Sequence, residues 1–325
     1  MPIDNNKLKL ILGRVIRKKI ITKKDSLFLT SRVDLWDLLH GAYTIKKHFF
    51  GGKIHLCSII NAKSGNCSEN CKFCAQSFHN NAKIKTYGLV SSKAIKDAYF
   101  KARNSRVDGF SIVTSGNKLS TKEIDQLSGT ITELCAQNKT PYLCLSIGRL
   151  SPQVISKLKK SGVTKCHHNL ETSRRFFPNI CSTHTYRDRI ETIRNLKKAG
   201  IKVCSGGIFG LGEGWGDRVA LALMLKELDV DSVPLNFLMP VKGTSLDDVK
   251  SLAPMDALKI IAIFRYILPD KDIRICAGRE AVLRSLQSLM FYAGATGMMV
   301  GGYLTQPGRR VADDFQMLAD LGLRH

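Results

Sequence analysis

Short apolar or β-branched runs alternate with amphipathic stretches along most of the chain. Eight runs read as strands: Ile54–Ile59, Gly109–Thr114, Tyr142–Ser146, Lys165–Asn169, Lys202–Gly207, Ser232–Phe237, Ile273–Cys276 and Met298–Gly301. Between them apolar residues recur at helical spacing over Ser92–Asn104, Lys122–Gln137, Pro152–Ser161, Tyr186–Ala199, Asp217–Leu228, Pro254–Leu268 and Glu280–Ala293, and Val311–Leu321 supplies a last helix. The punctuation agrees: Ser151-Pro152 opens one helix, and Gly162 and Gly200 close two. Strict alternation of strand and helix implies an α/β protein with a parallel sheet and right-handed crossovers. Eight units in about 270 residues predict a closed (β/α)8 TIM-type barrel, with reactive groups at the C-terminal ends of the strands. An open doubly wound sheet is the alternative. Before residue 50 the pattern predicts helices over Lys7–Lys18 and Val33–Phe49. No linker or low-complexity block intervenes. The expected division is a helical N-terminal extension over 1–50 and a barrel domain over 51–325.

Composition narrows the class. The 325 residues are 44% hydrophobic and 24% charged, enough for a substantial core and against wholesale disorder. The start of the chain lacks the apolar run of a secretory signal, and the uncharged stretch 285–308 is interrupted by glycines and Pro307. Ten cysteines without an export signal argue against a disulfide scaffold and for a cytoplasmic setting. The net charge is +23. No zinc-finger spacing or RNA-recognition signature accompanies it, so a lysine-rich solvated surface is expected, with no specific nucleic acid and no membrane partner.

Cys67, Cys71 and Cys74 form C-x3-C-x2-C in the loop after the first predicted strand, where a barrel has its mouth. Soft thiolates suit iron–sulfur clusters or zinc. Zinc sites use four ligands, and His79 is the sole nearby candidate for a fourth. Three ligands on a four-iron cube leave one iron open. Other lone cysteines read more readily as small buried hydrophobes, as does Cys135 within a helix; Cys166 and Cys181 receive no role.

The triplet, with Phe73 before its last cysteine, resembles the radical S-adenosylmethionine superfamily. The strings NAKSGNCSENCKFCAQS, HHNLETS, GIKVCSGGIFGLGE, DSVPLNFLMPVKGT and IRICAGRE resemble, within it, the biotin synthase family from about residue 50 to the end. The resemblance implies a 4Fe-4S cluster on Cys67, Cys71 and Cys74, whose open iron binds S-adenosylmethionine. It implies radical insertion of sulfur into dethiobiotin, the sulfur coming from a deeper auxiliary iron–sulfur cluster. A homodimer and an electron donor such as flavodoxin or ferredoxin are implied as well. Phe73, Asn169 and Glu171 are expected beside the cofactor, with Glu171 where the family commonly has Asp; after the fifth predicted strand Gly206 and Gly207 are expected to let backbone approach the cofactor and Glu213 to add to its polar surroundings, a tight strand-to-helix turn being the alternative. Asn169 and Asn236 fall at substrate-binding positions, Asn236 facing the ureido ring. A hydrogenase-cluster maturase or an aminomutase-like enzyme on the same barrel is one alternative; a non-catalytic iron–sulfur carrier or basic RNA-binding protein is another.

The same resemblance places Cys144, Cys204 and Arg274 on the auxiliary 2Fe-2S cluster, but its fourth position holds Ser111, a harder ligand. Cys57, Cys144, Cys204 and Cys276 lie on the first, third, fifth and seventh predicted strands. Alternate strands of a barrel contribute to common interior layers, so these four are expected to form a ring. Cys57 and Cys276 would then compensate for Ser111 in a 2Fe-2S or larger cluster, with Arg274 offsetting thiolate charge. Small core residues are the plainer reading of Cys57 and Cys276.

Overall fold

The computed structural model describes residues 5–137 and 141–325. Its centre is a closed parallel barrel. The strands are β1 (His55–Lys63), β2 (Gly109–Thr114), β3 (Tyr142–Ser146), β4 (Lys165–His167), β5 (Lys202–Cys204), β6 (Gly207–Phe209), β7 (Ser232–Phe237), β8 (Asp272–Ile275) and β9 (Gly297–Met299). Pairing runs β5-β4-β3-β2-β1-β9-β8-β7-β6, and a β5–β7 contact closes the ring.

The fifth predicted strand is thus two segments, β5 and β6, sharing one place in the barrel. Gly206 lies at the break, where a Cβ would come 1.9 Å from the Pro234 carbonyl oxygen. A side chain there would force β7 away, so the crossing requires glycine.

Helices α4 (Ser92–Asn104), α5 (Thr121–Gln137), α6 (Pro152–Lys160), α7 (Tyr186–Lys198), α8 (Trp215–Glu227) and α9 (Pro254–Ile267) surround the barrel, much as their periodicity predicts. Leu258 and the whole run Ile260–Ile267 of α9 are buried. A helix apolar all round must be covered on its outer side. The N-terminal extension does this: α1 (Asn5–Ile16), α2 (Lys23–Ser31) and α3 (Leu35–Phe50) all pack against α9. Arg265 in its last turn donates to carbonyl oxygens of Gly294, Leu268, Pro269 and Lys271 at 2.8–3.2 Å.

Two helical elements also differ from the sequence pattern. Helix α2 is unanticipated, although Thr22 and Asp25 form a reciprocal capping box at its start. The predicted helix Glu280–Ala293 is broken into α10 (Arg279–Leu283), a 3-10 turn at Arg284–Leu286 and α11 (Leu289–Tyr292), with Arg284 at φ +52°. Left-handed backbone ends a helix.

The last helix, α12 (Val311–Asp320), is fastened to the barrel by a buried ion pair. Arg279 Nη2 donates to both carboxylate oxygens of Asp314 at 2.9 and 3.0 Å, and Asp314 is fully buried. Asp314→Ala should lower unfolding free energy by about 3–5 kcal/mol, because it leaves the buried guanidinium uncompensated. Chemical denaturation measures this; a loss below 1 kcal/mol on the same scale would mean that the pair does not anchor the helix.

Candidate active site

Two adjoining cavities occupy the C-terminal half and the interior of the barrel. The mouth cavity, about 180 Å³, is lined by Cys67, Cys71 and Cys74 together with Asn169, Glu171 and Arg189. The inner chamber, about 320 Å³, is lined by Cys57, Cys144, Cys204 and Cys276 with Arg274 and Asn236. Phe73, Cys74, Gln76 and Glu171 border both.

The loop carrying the triplet leaves the C-terminal end of β1 and is closed at its base by pairing of Ser64 with Tyr87. Inside it, Cys67 N donates to Gln76 O at 3.0 Å and Phe78 N to Cys67 O at 2.9 Å. Asn80 Nδ2 donates to the carbonyls of Cys71 and Cys74 at 3.2 and 2.9 Å. These bonds tie down the cysteine backbones, so the thiols are presented together. His79 instead meets the Ser68 carbonyl at 3.1 Å and does not border the mouth cavity.

Beside the triplet lie residues that the sequence did not single out. Cys181, His184 and Cys71 bring their ligand atoms within 4.8 Å of one another. His184 also pairs with Glu69. Cys181 is held down to about 3 by its hydrogen bond with Cys71, against burial and with help from His184. The C-x2-H spacing of Cys181 and His184 was the available signal. Arg189, on α7, had none. Its Nη1 donates to Asn169 O at 2.9 Å and stands 3.5 Å from Glu171 Oε1; its Nε donates to His184 Nε2 at 3.0 Å.

Asn169 Nδ2 donates to Glu171 Oε2 at 3.1 Å, while Asn169 Oδ1 accepts from Gly206 N at 3.0 Å. Glu171 sits at φ +67°, a left-handed conformation that turns its carboxylate to the boundary of the two cavities. Thr114 Oγ1 and His168 Nε2 border the mouth cavity, buried without a hydrogen-bond partner. Orphaned groups of this kind call for a ligand. Three soft thiols, two guanidiniums, two carboxylates and two unpaired polar atoms around one cavity fit an iron–sulfur cluster beside a zwitterionic nucleoside such as S-adenosylmethionine.

Three expected cofactor neighbours do other work. Gly206 and Gly207 border neither cavity, and a Cβ on Gly207 would come 2.3 Å from Glu171 O. These glycines let strands approach one another. Glu213 is buried away from both cavities, accepting from Gly210 N, Leu211 N and Arg218 Nε at 2.7–3.2 Å. Its carboxylate holds the loop after β6.

In the chamber the four cysteines face one another. Cys57 and Cys276 share a hydrogen bond, which lowers Cys57 to about 6 against burial and raises Cys276. Burial pushes Cys204 up, but the hydrogen bond and charge of His167 prevail and bring it to about 7. Burial and the neighbouring Cys204 charge raise Cys144 to about 12. Ser111 is paired in register with Cys144 and hydrogen-bonds it. Arg274 contacts Asp272 and the Tyr142 hydroxyl. Although burial opposes its charge, Asp272 and the Cys57 thiolate hold Arg274 firmly protonated. A site of four soft ligands with a fixed cation suits an anionic iron–sulfur cluster. Asn236, on β7, donates to Gly207 O at 3.2 Å and accepts from Ala277 N at 3.1 Å, presenting its remaining N–H and lone pair toward the chamber.

Comparison with known proteins shows the family. Residues 62–225 match the Radical SAM superfamily, and residues 234–324 match the Biotin and Thiamin Synthesis associated domain. The biotin synthase of Endomicrobium trichonymphae is 48% identical over 313 residues, 96% of this chain and 97% of that one. The biotin synthase of Methanococcus vannielii is 47% identical over 94% of this chain and 93% of that one. Among solved structures, methylornithine synthase superposes with a TM-score of 0.84 at 19% identity, covering 97% and 96% of the two chains. The FeFe-hydrogenase maturase of Carboxydothermus hydrogenoformans gives 0.82 at 17%, covering 98% and 79%. At that identity the likeness is one of fold. No helix among the described residues is long and apolar enough to cross a membrane.

Proposed function

The chain belongs to the biotin synthase family of radical S-adenosylmethionine enzymes, and from this premise we propose how its own residues divide the conversion of dethiobiotin to biotin. Cys67, Cys71 and Cys74 hold the 4Fe-4S cluster at the mouth. When bound there, that cluster supplies the electron that breaks the sulfonium bond of S-adenosylmethionine. Arg189 receives the methionyl carboxylate, being the more buried of the two guanidiniums that border the thiol-lined cavity; Arg149 is half-exposed and paired with Asp188. Glu171 accepts from ribose hydroxyls, and Phe73 packs beside the reacting nucleoside. Asn236, in the wall of the inner chamber, holds the ureido group. Cys57, Cys144, Cys204 and Cys276 hold the auxiliary cluster that donates sulfur, and Arg274 offsets its charge.

The observation that carries this reading is the continuity of the two cavities. A substrate at their shared border has three thiols on one side and four on the other. A flavodoxin or ferredoxin is the proposed electron source, a homodimer the proposed assembly and the cytoplasm the proposed location, all three following the family resemblance. Anaerobic incubation with dethiobiotin, S-adenosylmethionine and a reductant, followed by mass spectrometry, should yield biotin. 5′-Deoxyadenosine without biotin would move the protein to another radical enzyme class.

Asn236→Ala should weaken dethiobiotin binding by about 1–3 kcal/mol and leave S-adenosylmethionine binding near wild type. Glu171→Ala should do the reverse. Calorimetric titration of each ligand separates them, and a crossed pattern would reverse the two assignments.

A further inference from the structure

The inner chamber has a second side. Its floor is made at the N-terminal ends of the strands by Gly109, Tyr142, Lys165 and Arg274. Behind the floor lies a third cavity, about 450 Å³, which Tyr142 and Arg274 also line. Its other walls are His55, Arg103, Arg106, Val107, Asp108 and Pro141. His55 begins β1, Asp108 and Pro141 immediately precede β2 and β3, and Arg103 lies in the last turn of α4. The cavity therefore opens on the face of the barrel opposite the mouth. Two side chains, Tyr142 and Arg274, stand between it and the four-cysteine chamber.

Guanidiniums outnumber carboxylates around this rear cavity: Arg103, Arg106 and Arg274 against Asp108 and Asp272. Its acidic neighbours are committed: Asp108 Oδ2 accepts from Leu56 N at 2.8 Å, and Asp272 holds Arg274 and stands 3.3 Å from His55 Nδ1. Arg103 and Arg106 are exposed and make no ion pair or side-chain hydrogen bond among the described residues. Two guanidiniums at the entrance, unpaired among the described residues, and a third at the inner end that shares its charge with Asp272 leave a net positive path favourable to a small anion.

The floor is fitted closely around one ring. A Cβ on Gly109 would come 2.4 Å from Tyr142 Cζ, so glycine there leaves room for the tyrosine to lie across the opening. Lys165 Nζ stands 5.1 Å from the same ring's centre, and Arg274 Nη1 donates to its hydroxyl. The residues common to both cavities are Tyr142 and Arg274, the tyrosine ring standing beside two cations. An anion arriving from behind would meet Arg274 before any cysteine.

We propose that the rear cavity is an anion-binding port that captures hydrosulfide and admits it past Tyr142 and Arg274 to the four-cysteine chamber. The proposal rests on the reading of that chamber as the sulfur source. Each turnover would carry a sulfur atom out toward the mouth, where S-adenosylmethionine and substrate bind. A rear port lets sulfide return without displacing either. Hydrosulfide is small and singly charged, which matches an entrance of guanidiniums and a single-ring partition.

The test uses the full-length protein, stripped of clusters and rebuilt anaerobically with ferrous iron and sodium sulfide, both clusters being followed by Mössbauer spectroscopy. Arg103→Glu/Arg106→Glu should slow recovery of the chamber cluster about tenfold, with recovery of the mouth cluster unchanged. Arg103→Gln/Arg106→Gln should fall between this and wild type. Equal recovery of the chamber cluster in all three proteins, or equal slowing of both clusters, would overturn the port. Bromide soaked into wild-type crystals gives an independent reading: an anomalous peak at Arg103 and Arg106 is expected, and its absence would overturn the anion site. If the wild-type protein itself rebuilds only the mouth cluster, the reading of the chamber fails, an outcome distinct from either of the others.

Discussion

Replacing Cys71 by Ala should reduce reductive cleavage of S-adenosylmethionine at least about a thousandfold, with the chain still folded. Cys71 is buried at the end of the mouth cavity, and its thiol is raised by hydrogen bonding to Cys181 and by burial. Its loss removes one of three ligands and leaves too few soft donors for the cube. The replacement is small, and the loop keeps the Asn80 bonds to the Cys71 and Cys74 carbonyls, so circular dichroism should be near wild type. The neighbouring Cys181 sharpens the test, because its sulfur already lies within ligand reach of that position. Residual 5′-deoxyadenosine formation in Cys71→Ala that disappears in Cys71→Ala/Cys181→Ala would identify Cys181 as a substitute ligand. Undiminished formation in both variants would remove the triplet from the chemistry.

Cys57→Ser and Cys276→Ser should each deplete the auxiliary cluster and abolish biotin formation, while 5′-deoxyadenosine formation persists. The two sulfurs share one hydrogen bond inside the chamber, so each variant removes half of a thiol–thiolate pair. Serine is nearly isosteric but a hard ligand, which separates loss of coordination from loss of volume. Iron and sulfide analysis with Mössbauer spectra provides the readout. An unchanged auxiliary cluster in both variants would return Cys57 and Cys276 to the status of core residues. A stronger cluster in Ser111→Cys, retained when Cys57 or Cys276 is changed, would favour the arrangement with a cysteine on β2.

The two expectations behind these predictions had different origins. The triplet is contiguous, and eight residues contain its whole signal. The ring draws on β1, β3, β5 and the residue after β8, and it needed a register. The pleat supplies that register only if strand boundaries are correct, since a shift of one residue turns a side chain outward. The boundaries were close enough for Cys57, Cys144, Cys204 and Cys276 to reach one chamber. They were not good enough to foresee that the fifth strand is split at Gly206. For the same reason the glycines there were read as ligand neighbours, when their missing side chains admit Pro234 and Glu171.

Periodicity, punctuation and short spacing are local properties, and they sufficed for the barrel, the helical extension, the triplet and the family. Side-chain convergence is not local. Arg189 reaches the mouth because α7 packs with that turn facing inward, and Cys181 meets Cys71 across more than a hundred intervening residues. Glu213, chemically as apt as Glu171, is turned instead into its own loop by two backbone amides and Arg218. Nothing in the residue types separates those two carboxylates. The direction of a side chain depends on the backbone conformation beneath it and on the packing around it, and both are set only when distant segments meet.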